Sequence, residues 1–135
     1  MKVLVMGGSQ FNGHHLVREL VRTGHAVTVL NRGKTASQFP RSVKRLICDR
    51  TDHEALRETL SGHEWDCVHD MCAYHPSDVE LMTDLLDGRT GHYVFASSTV
   101  IYAPTHDLPI TEDHPLATGP EQNEYGLNKW LCEKH

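Results

Sequence analysis

KVLVMGGSQFNG, residues 2–13, is the stretch of sequence that decides the fold. Its opening run, Lys2–Met6, is short, apolar and rich in valine, which predicts a buried strand. Gly7 and Gly8 end that run, and apolar residues at helical spacing then predict a helix over Gly13–Thr23. A glycine-rich turn between a strand and a helix suits a dinucleotide, because the backbone can approach the pyrophosphate at the helix N-terminus.

The rest of the chain repeats this alternation of short apolar runs and helical stretches, which predicts a parallel sheet covered by helices. One helix is expected to begin at a cap, Asp52 or Thr51, and another at Pro76. A last helix begins near Glu124 and is expected to continue to the end at His135, after an irregular, proline-containing loop over Val100–Asn123. The element order predicts a doubly wound sheet with strand order 3-2-1-4-5. The further predicted strands are Ala26–Leu30, Val43–Cys48, Cys67–Met71 and His92–Ser97.

Composition and charge exclude several classes of protein. The formal net charge of -5 speaks against a nucleic-acid partner, which would require an excess of lysine and arginine. No apolar run reaches the roughly 18 residues of a membrane span. The four cysteines form no CxxC pair, so we expect free thiols in a reducing cytoplasm.

Four potential zinc ligands, Cys67, His69, Cys72 and His75, lie close together in the sequence. Structural zinc sites usually take their ligands from two separated segments, whereas Cys67 and His69 fit one face of a strand and the other two fit the turn after it. We therefore predict no metal site.

The glycine turn resembles the GxxGxxG motif of the extended short-chain dehydrogenases/reductases. Gly7 and Gly13 match the outer glycines, and Gln10 stands where the middle glycine would be. A GGxxFxG subgroup of the NAD-dependent epimerase/dehydratase family has a similar turn with a large polar residue there. The resemblance implies a Rossmann-type domain in which the turn, with Ser9 and Phe11, contacts the cofactor.

Cofactor choice depends on the residues after the second strand. Asn31, Arg32 and Lys34 lie there, without the carboxylate that would select NAD. Arg32 can pair with a 2′-phosphate, so we predict NADP, with NAD possible. Alternatively, the segment is simply a solvated surface loop.

Two further segments match the cofactor-binding positions of the family. Asp49 is similar to the acidic residue that binds the adenine amino group, although it could equally cap the next helix. Met71, Cys72 and Ala73 follow the fourth strand and would line the cofactor through backbone and small side chains. Tyr74 is expected to be a packing residue.

A split catalytic signature completes the resemblance. Tyr125 and Lys129 form YxxxK, which places both side chains on one helix face. The segment 95–102 resembles the family's SSxxVY stretch, in which Ser98 is the catalytic serine. A lysine ammonium favours the phenolate of a neighbouring tyrosine, and a serine hydroxyl can hydrogen-bond the reacting substrate oxygen. Alternatively, the three residues serve as a turn residue, a core residue and a solvated residue.

The resemblance implies a reductase-, epimerase- or dehydratase-type enzyme that transfers hydride on a nucleotide-sugar-like substrate. Residues 1–135 would form its NAD(P)-binding domain, with the C-terminal part of the family fold and the substrate lobe absent. An exposed edge at the fifth strand makes a homodimer possible. The alternatives are a cofactor-binding module without turnover and an RNA-binding relative of the same family, and the acidic net charge argues against the latter.

Overall fold

The computed structural model describes residues 1–120 and 122–135. Strands and helices alternate along this part of the chain as the apolar pattern predicts, except that no helix separates β2 from β3. They are β1 (Lys2–Met6), α1 (Phe11–Arg22), β2 (Ala26–Asn31), β3 (Lys44–Ile47), α2 (His53–Leu60), β4 (Cys67–Asp70), α3 (Pro76–Leu86), β5 (Tyr93–Phe95), a 3-10 helix (Thr99–Ile101) and α4 (Glu124–Cys132).

The sheet is parallel, and its strand order, β3-β2-β1-β4-β5, confirms the predicted order 3-2-1-4-5. β1 is the central strand: Val3 pairs with Val27 of β2 on one side and with Cys67 of β4 on the other. The chain therefore reverses its direction of winding between β1 and β4. This is where doubly wound sheets form ligand sites, beyond the carboxyl ends of the strands.

Both faces of β1 are buried. Leu4 and Met6 pack with side chains of α2 and α3, whereas Val3 and Val5 pack with Val17 of α1. Burial on both faces explains why the strand is almost uniformly apolar rather than alternating. Among the described residues, no helix is long and apolar enough to span a membrane.

The ends of several elements differ from the prediction. α4 ends at Cys132 and does not continue to His135. The backbone N–H of Glu133 bonds to the carbonyl of Trp130 at 3.1 Å as well as to that of Lys129, so the last turn tightens and the helix stops. Of the two predicted caps for α2, Asp52 is the one that accepts a hydrogen bond from the N–H of Ala55.

The predicted irregular loop over Val100–Asn123 is more structured at its start than expected. Ser98 accepts a hydrogen bond from the N–H of Val100 and caps the 3-10 helix. Tyr102 then forms an isolated antiparallel bridge with Leu116. The residues between Tyr102 and Leu116 therefore form a loop whose two ends are paired with each other.

Candidate functional site

A cavity of about 670 Å³ lies beyond the carboxyl ends of the central strands. It collects residues from the glycine turn, from the segments after β2, β3, β4 and β5, and from α4. Most of the site residues predicted from sequence line it; Ala73 and Ser98 do not. The predicted residues on its wall are Gly7, Ser9, Gln10, Phe11, Gly13, Asn31, Arg32, Lys34, Asp49, Met71, Cys72, Tyr125 and Lys129.

The glycine turn forms the floor of the cavity, and its backbone packs too closely for side chains. Gly7 has a φ of 80°, and a Cβ added to it would lie 2.9 Å from Cys72 Cβ. A Cβ on Gly13 would lie 3.0 Å from Gly8 Cα and 3.1 Å from the carbonyl oxygen of Gly7. These contacts place the start of α1 directly against the end of β1.

The N-terminus of α1 opens onto this floor. Gln10 is the N-cap residue but makes no side-chain capping bond, and the first turn contains no acidic residue. Phe11 has a φ of 44°, and its side chain is 84% exposed at the cavity wall. A turn without side-chain caps leaves backbone N–H groups for an anion, so these residues fit a dinucleotide pyrophosphate.

One end of the cavity suits an adenosine. Asn31 donates from Nδ2 to Ser9 Oγ at 2.9 Å and accepts from the N–H of Gly33 through Oδ1, so it ties two loops together. Asp49 accepts hydrogen bonds from the N–H and hydroxyl of Thr51, which lower its pKa; the charges of Arg32 and Lys34 lower it further. Asp49 therefore remains an acceptor at the cavity wall, and Asp52, not Asp49, caps α2.

A buried ion pair that the sequence analysis missed lies beneath the middle of the cavity. Arg50 donates from Nη1 to both carboxylate oxygens of Asp70, at 2.8 and 3.0 Å. Tyr93 donates its hydroxyl to the same carboxylate at 2.8 Å. A carboxylate at the end of a buried strand was the available signal, because a buried charge requires a partner.

Lys129 lies at the opposite end of the cavity from Asp49, and its side chain is anchored. Lys129 is 3% exposed, and its Nζ donates hydrogen bonds to the carbonyl oxygens of Ala73 at 2.9 Å and Ala96 at 2.7 Å. The ammonium also lies 4.4 Å from the ring centre of Phe95. Burial lowers the pKa of Lys129 below its ordinary value. The alternative interpretation of Lys129, as a solvated residue, is therefore wrong.

Two tyrosines flank Lys129 at the cavity mouth. Tyr125 is 44% exposed, and its ring centre lies 5.9 Å from the Lys129 ammonium. The ring centre of Tyr74 lies 6.1 Å from that of Tyr125. Because Tyr74 is 51% exposed, the expectation that it is a packing residue is wrong. Ser97 lines the cavity, whereas the hydroxyl of Ser98 caps the 3-10 helix. The structure thus brings Tyr125 and Lys129 together but leaves Ser98 outside the wall.

The two cysteines weighed as zinc ligands, Cys67 and Cys72, lie on opposite faces of the sheet. Cys67 packs on the α1 side of the sheet, with Sγ 3.6 Å from Nε2 of His69. Cys72 packs on the other side and accepts a hydrogen bond from Arg50. The four cysteines are free thiols.

A doubly wound parallel sheet with a glycine turn beneath its switch-point cavity defines the class of Rossmann-type dinucleotide-binding domains. The comparison with protein families gives the particular family. The chain belongs to the NAD dependent epimerase/dehydratase family, whose model matches residues 3–135. The predicted resemblance is thereby confirmed.

Each relative matches nearly the whole of this chain. The chain, in turn, spans less than half the length of the relative. A UDP-glucose 4-epimerase from Lactobacillus helveticus is 34% identical over 99% of this chain and 46% of its own. The chloroplast stem-loop binding protein of 41 kDa b from Arabidopsis thaliana is 31% identical over 93% of this chain and 36% of its own. A solved UDP-glucose 4-epimerase from Brucella ovis, in complex with NAD, is 26% identical over 98% of this chain and 46% of its own, with a TM-score of 0.80.

Proposed function

We propose that this chain is the cofactor-binding half of an epimerase-type enzyme that acts on a nucleotide sugar. The observation that carries the proposal is the continuous cavity, which runs from Asp49, across the glycine turn, to Tyr125 and Lys129. A dinucleotide spanning it would place its adenosine near Asp49 and its nicotinamide near Lys129. The nucleotide-sugar substrate is proposed from the UDP-glucose 4-epimerases among the relatives.

The cofactor we propose is NAD. The sequence prediction of NADP depended on Arg32 and Lys34, and the comparisons give it no support: the Brucella ovis relative is a complex with NAD. Both cations are exposed and lie near Asp49, whose carboxylate they stabilise. We infer that the two cations stand beside the carboxylate of Asp49, the proposed acceptor for the adenosine, rather than reserving the site for a 2′-phosphate.

Bound at this site, NAD would supply reversible hydride transfer to and from the sugar. Tyr125 takes the proton of the sugar hydroxyl and gives it back. The ammonium of Lys129 lies 5.9 Å from the ring centre of Tyr125, so a positive charge stands beside the phenol that is proposed to carry the proton.

Lys129 also holds the backbone on which the nicotinamide would rest. Its bonds to the carbonyls of Ala73 and Ala96 join the segments after β4 and β5. Ser98 caps the 3-10 helix outside the cavity wall, so the groups proposed to act in the cavity are Tyr125 and Lys129.

Calorimetric titration with NAD and NADP tests the cofactor assignment. We expect NAD to bind at least as tightly as NADP, and Arg32→Ala to change the NAD affinity by less than about threefold. Arg18→Ala, an exposed position on α1 outside the cavity, is the matched control. Tighter binding of NADP, lost selectively in Arg32→Ala, would restore the original prediction.

Turnover is tested separately by adding UDP-glucose to the NAD-loaded chain and following conversion to UDP-galactose. We expect Tyr125→Phe to lower the rate by about 100-fold or more while NAD still binds. Normal NAD binding without conversion by the parent chain would favour the alternative, a cofactor-binding module without turnover.

A further inference from the structure

The ion pair between Arg50 and Asp70 is part of a buried network that joins three segments of the chain. Arg50, after β3, also donates from Nη2 to the carbonyl of Asp78 at 3.1 Å, and its Nε lies 3.4 Å from the Asp78 carboxylate. Asp78 in turn accepts hydrogen bonds from the N–H groups of Tyr74 and His75 at the start of α3. One guanidinium therefore fastens the loop after β3 to the loop after β4.

Stability alone does not account for this arrangement. Asp70 is 0% exposed, and removing a carboxylate and a guanidinium from water costs about as much as their attraction returns. An apolar pair could fill the same space without that cost. The network instead provides fixed geometry, because a guanidinium with several acceptors is held in one orientation.

The two loops that Arg50 joins serve opposite ends of the cavity. Asp49 precedes Arg50 directly and lies at the proposed adenosine end. On the other side, Asp70 accepts from the N–H of Cys72 at 3.0 Å, and Cys72 is the residue that closes against Gly7. The segment from Cys72 to Tyr74 then leads to Lys129, which bonds to Ala73.

We propose that Arg50 is a positioning residue that couples the adenosine end of the dinucleotide site to its nicotinamide end, an inference that rests on the proposed function. By holding Asp70 and Asp78, Arg50 fixes the 72–74 segment at one distance from Asp49. A ligand that spans both ends binds more tightly because of this fixed spacing. A ligand confined to the adenosine end and the glycine turn does not.

The test compares two ligands, NAD and ADP, on the parent chain and on Arg50→Lys. Lysine keeps the charge but cannot bridge two carboxylates with a planar fork. We expect the NAD affinity to fall by about tenfold and the ADP affinity by less than about threefold. Arg57→Lys, an exposed position on α2, is the matched control and should change neither affinity.

A second variant keeps the test decisive if Arg50→Lys does not fold. Tyr93→Phe removes one hydrogen bond to Asp70 and leaves the ion pair intact, so we expect a smaller loss that is again confined to NAD. Equal losses of NAD and ADP affinity, or no loss of either, would overturn the coupling. Failure of the parent chain to bind either ligand would instead overturn the proposed dinucleotide site.

Discussion

The floor and the mouth of the cavity are built differently. In the floor, formed by the glycine turn and the Arg50–Asp70 ion pair, the backbone of the turn packs closely at Gly7 and Gly13, and the groups of the ion pair bond to one another. The mouth, formed by Tyr74, Tyr125 and Ser97, exposes its phenols to solvent. The floor therefore has a geometry that does not depend on a ligand, whereas the mouth presents side chains to whatever enters.

This difference separates binding from chemistry. The parts proposed to hold the dinucleotide follow directly after β1, β2, β3 and β4, so the sheet itself fixes their positions. The proposed proton-transfer group, Tyr125, reaches the site only after the long segment that follows the 3-10 helix. Lys129 belongs to both regions, since it is anchored to the backbone of the floor and faces the ring of Tyr125.

Among the residues near the mouth, we expect the replacement of Lys129 to lower the NAD affinity most. Lys129→Met keeps the apolar stem but removes the bonds to Ala73 and Ala96, so we expect the NAD affinity to fall by about tenfold or more. Tyr125→Phe should leave it within about twofold, because the phenol is proposed to act on the substrate. Calorimetry on both variants checks this, and an equal loss in the two would erase the distinction between floor and mouth.

Removing the Ser98 hydroxyl should have a moderate effect on the stability of the fold. Ser98→Ala deletes the bond that caps the 3-10 helix, so the free energy of unfolding should fall by about 1 kcal/mol, with NAD affinity unchanged. Ser97→Ala is the control, since Ser97 is exposed at the cavity wall. Urea denaturation measures the free energy of unfolding of both variants, and an unchanged midpoint for Ser98→Ala would contradict the capping role.

A smaller effect should appear in the pH dependence of stability. Burial lowers the pKa of Lys129 in the folded chain, so the charged form is less favoured there than in the unfolded chain. The free energy of unfolding of the parent chain, relative to Lys129→Met, should therefore rise as pH increases from the folded pKa towards the ordinary value near 10.4. Urea denaturation of the two proteins across the alkaline range checks the sign. A fall in the difference would contradict the burial of the charge.

Features encoded in short stretches of sequence could be predicted. The strand order follows from alternating apolar runs, and Asp52 and Pro76 mark the starts of α2 and α3 by their local chemistry. The position of the glycine turn was equally clear, because a strand, two glycines and a helix follow one another within residues 2–22.

Features that depend on distant contacts could not be predicted. Arg50 and Asp70 are 20 residues apart, and only the folded sheet brings their charges together. Whether Ser97 or Ser98 faces the cavity depends on the 3-10 turn after β5, and motif spacing does not reveal that turn. The exposure of Tyr74 depends likewise on how α3 begins, with Asp78 holding the N–H groups of Tyr74 and His75.

The most direct test of a preformed dinucleotide floor is NAD titration of Gly7→Ala beside Gly24→Ala. Both glycines have a φ near 80°, at 80° and 85°, so both substitutions bear a similar backbone strain. Only at Gly7 would the added Cβ meet another residue, Cys72, at 2.9 Å; a Cβ added at Gly24 would lie within 4 Å of no atom outside its chain neighbours. The floor model predicts that Gly7→Ala loses NAD binding by about 100-fold or more while Gly24→Ala keeps it. Equal NAD affinities in the two folded variants would contradict it.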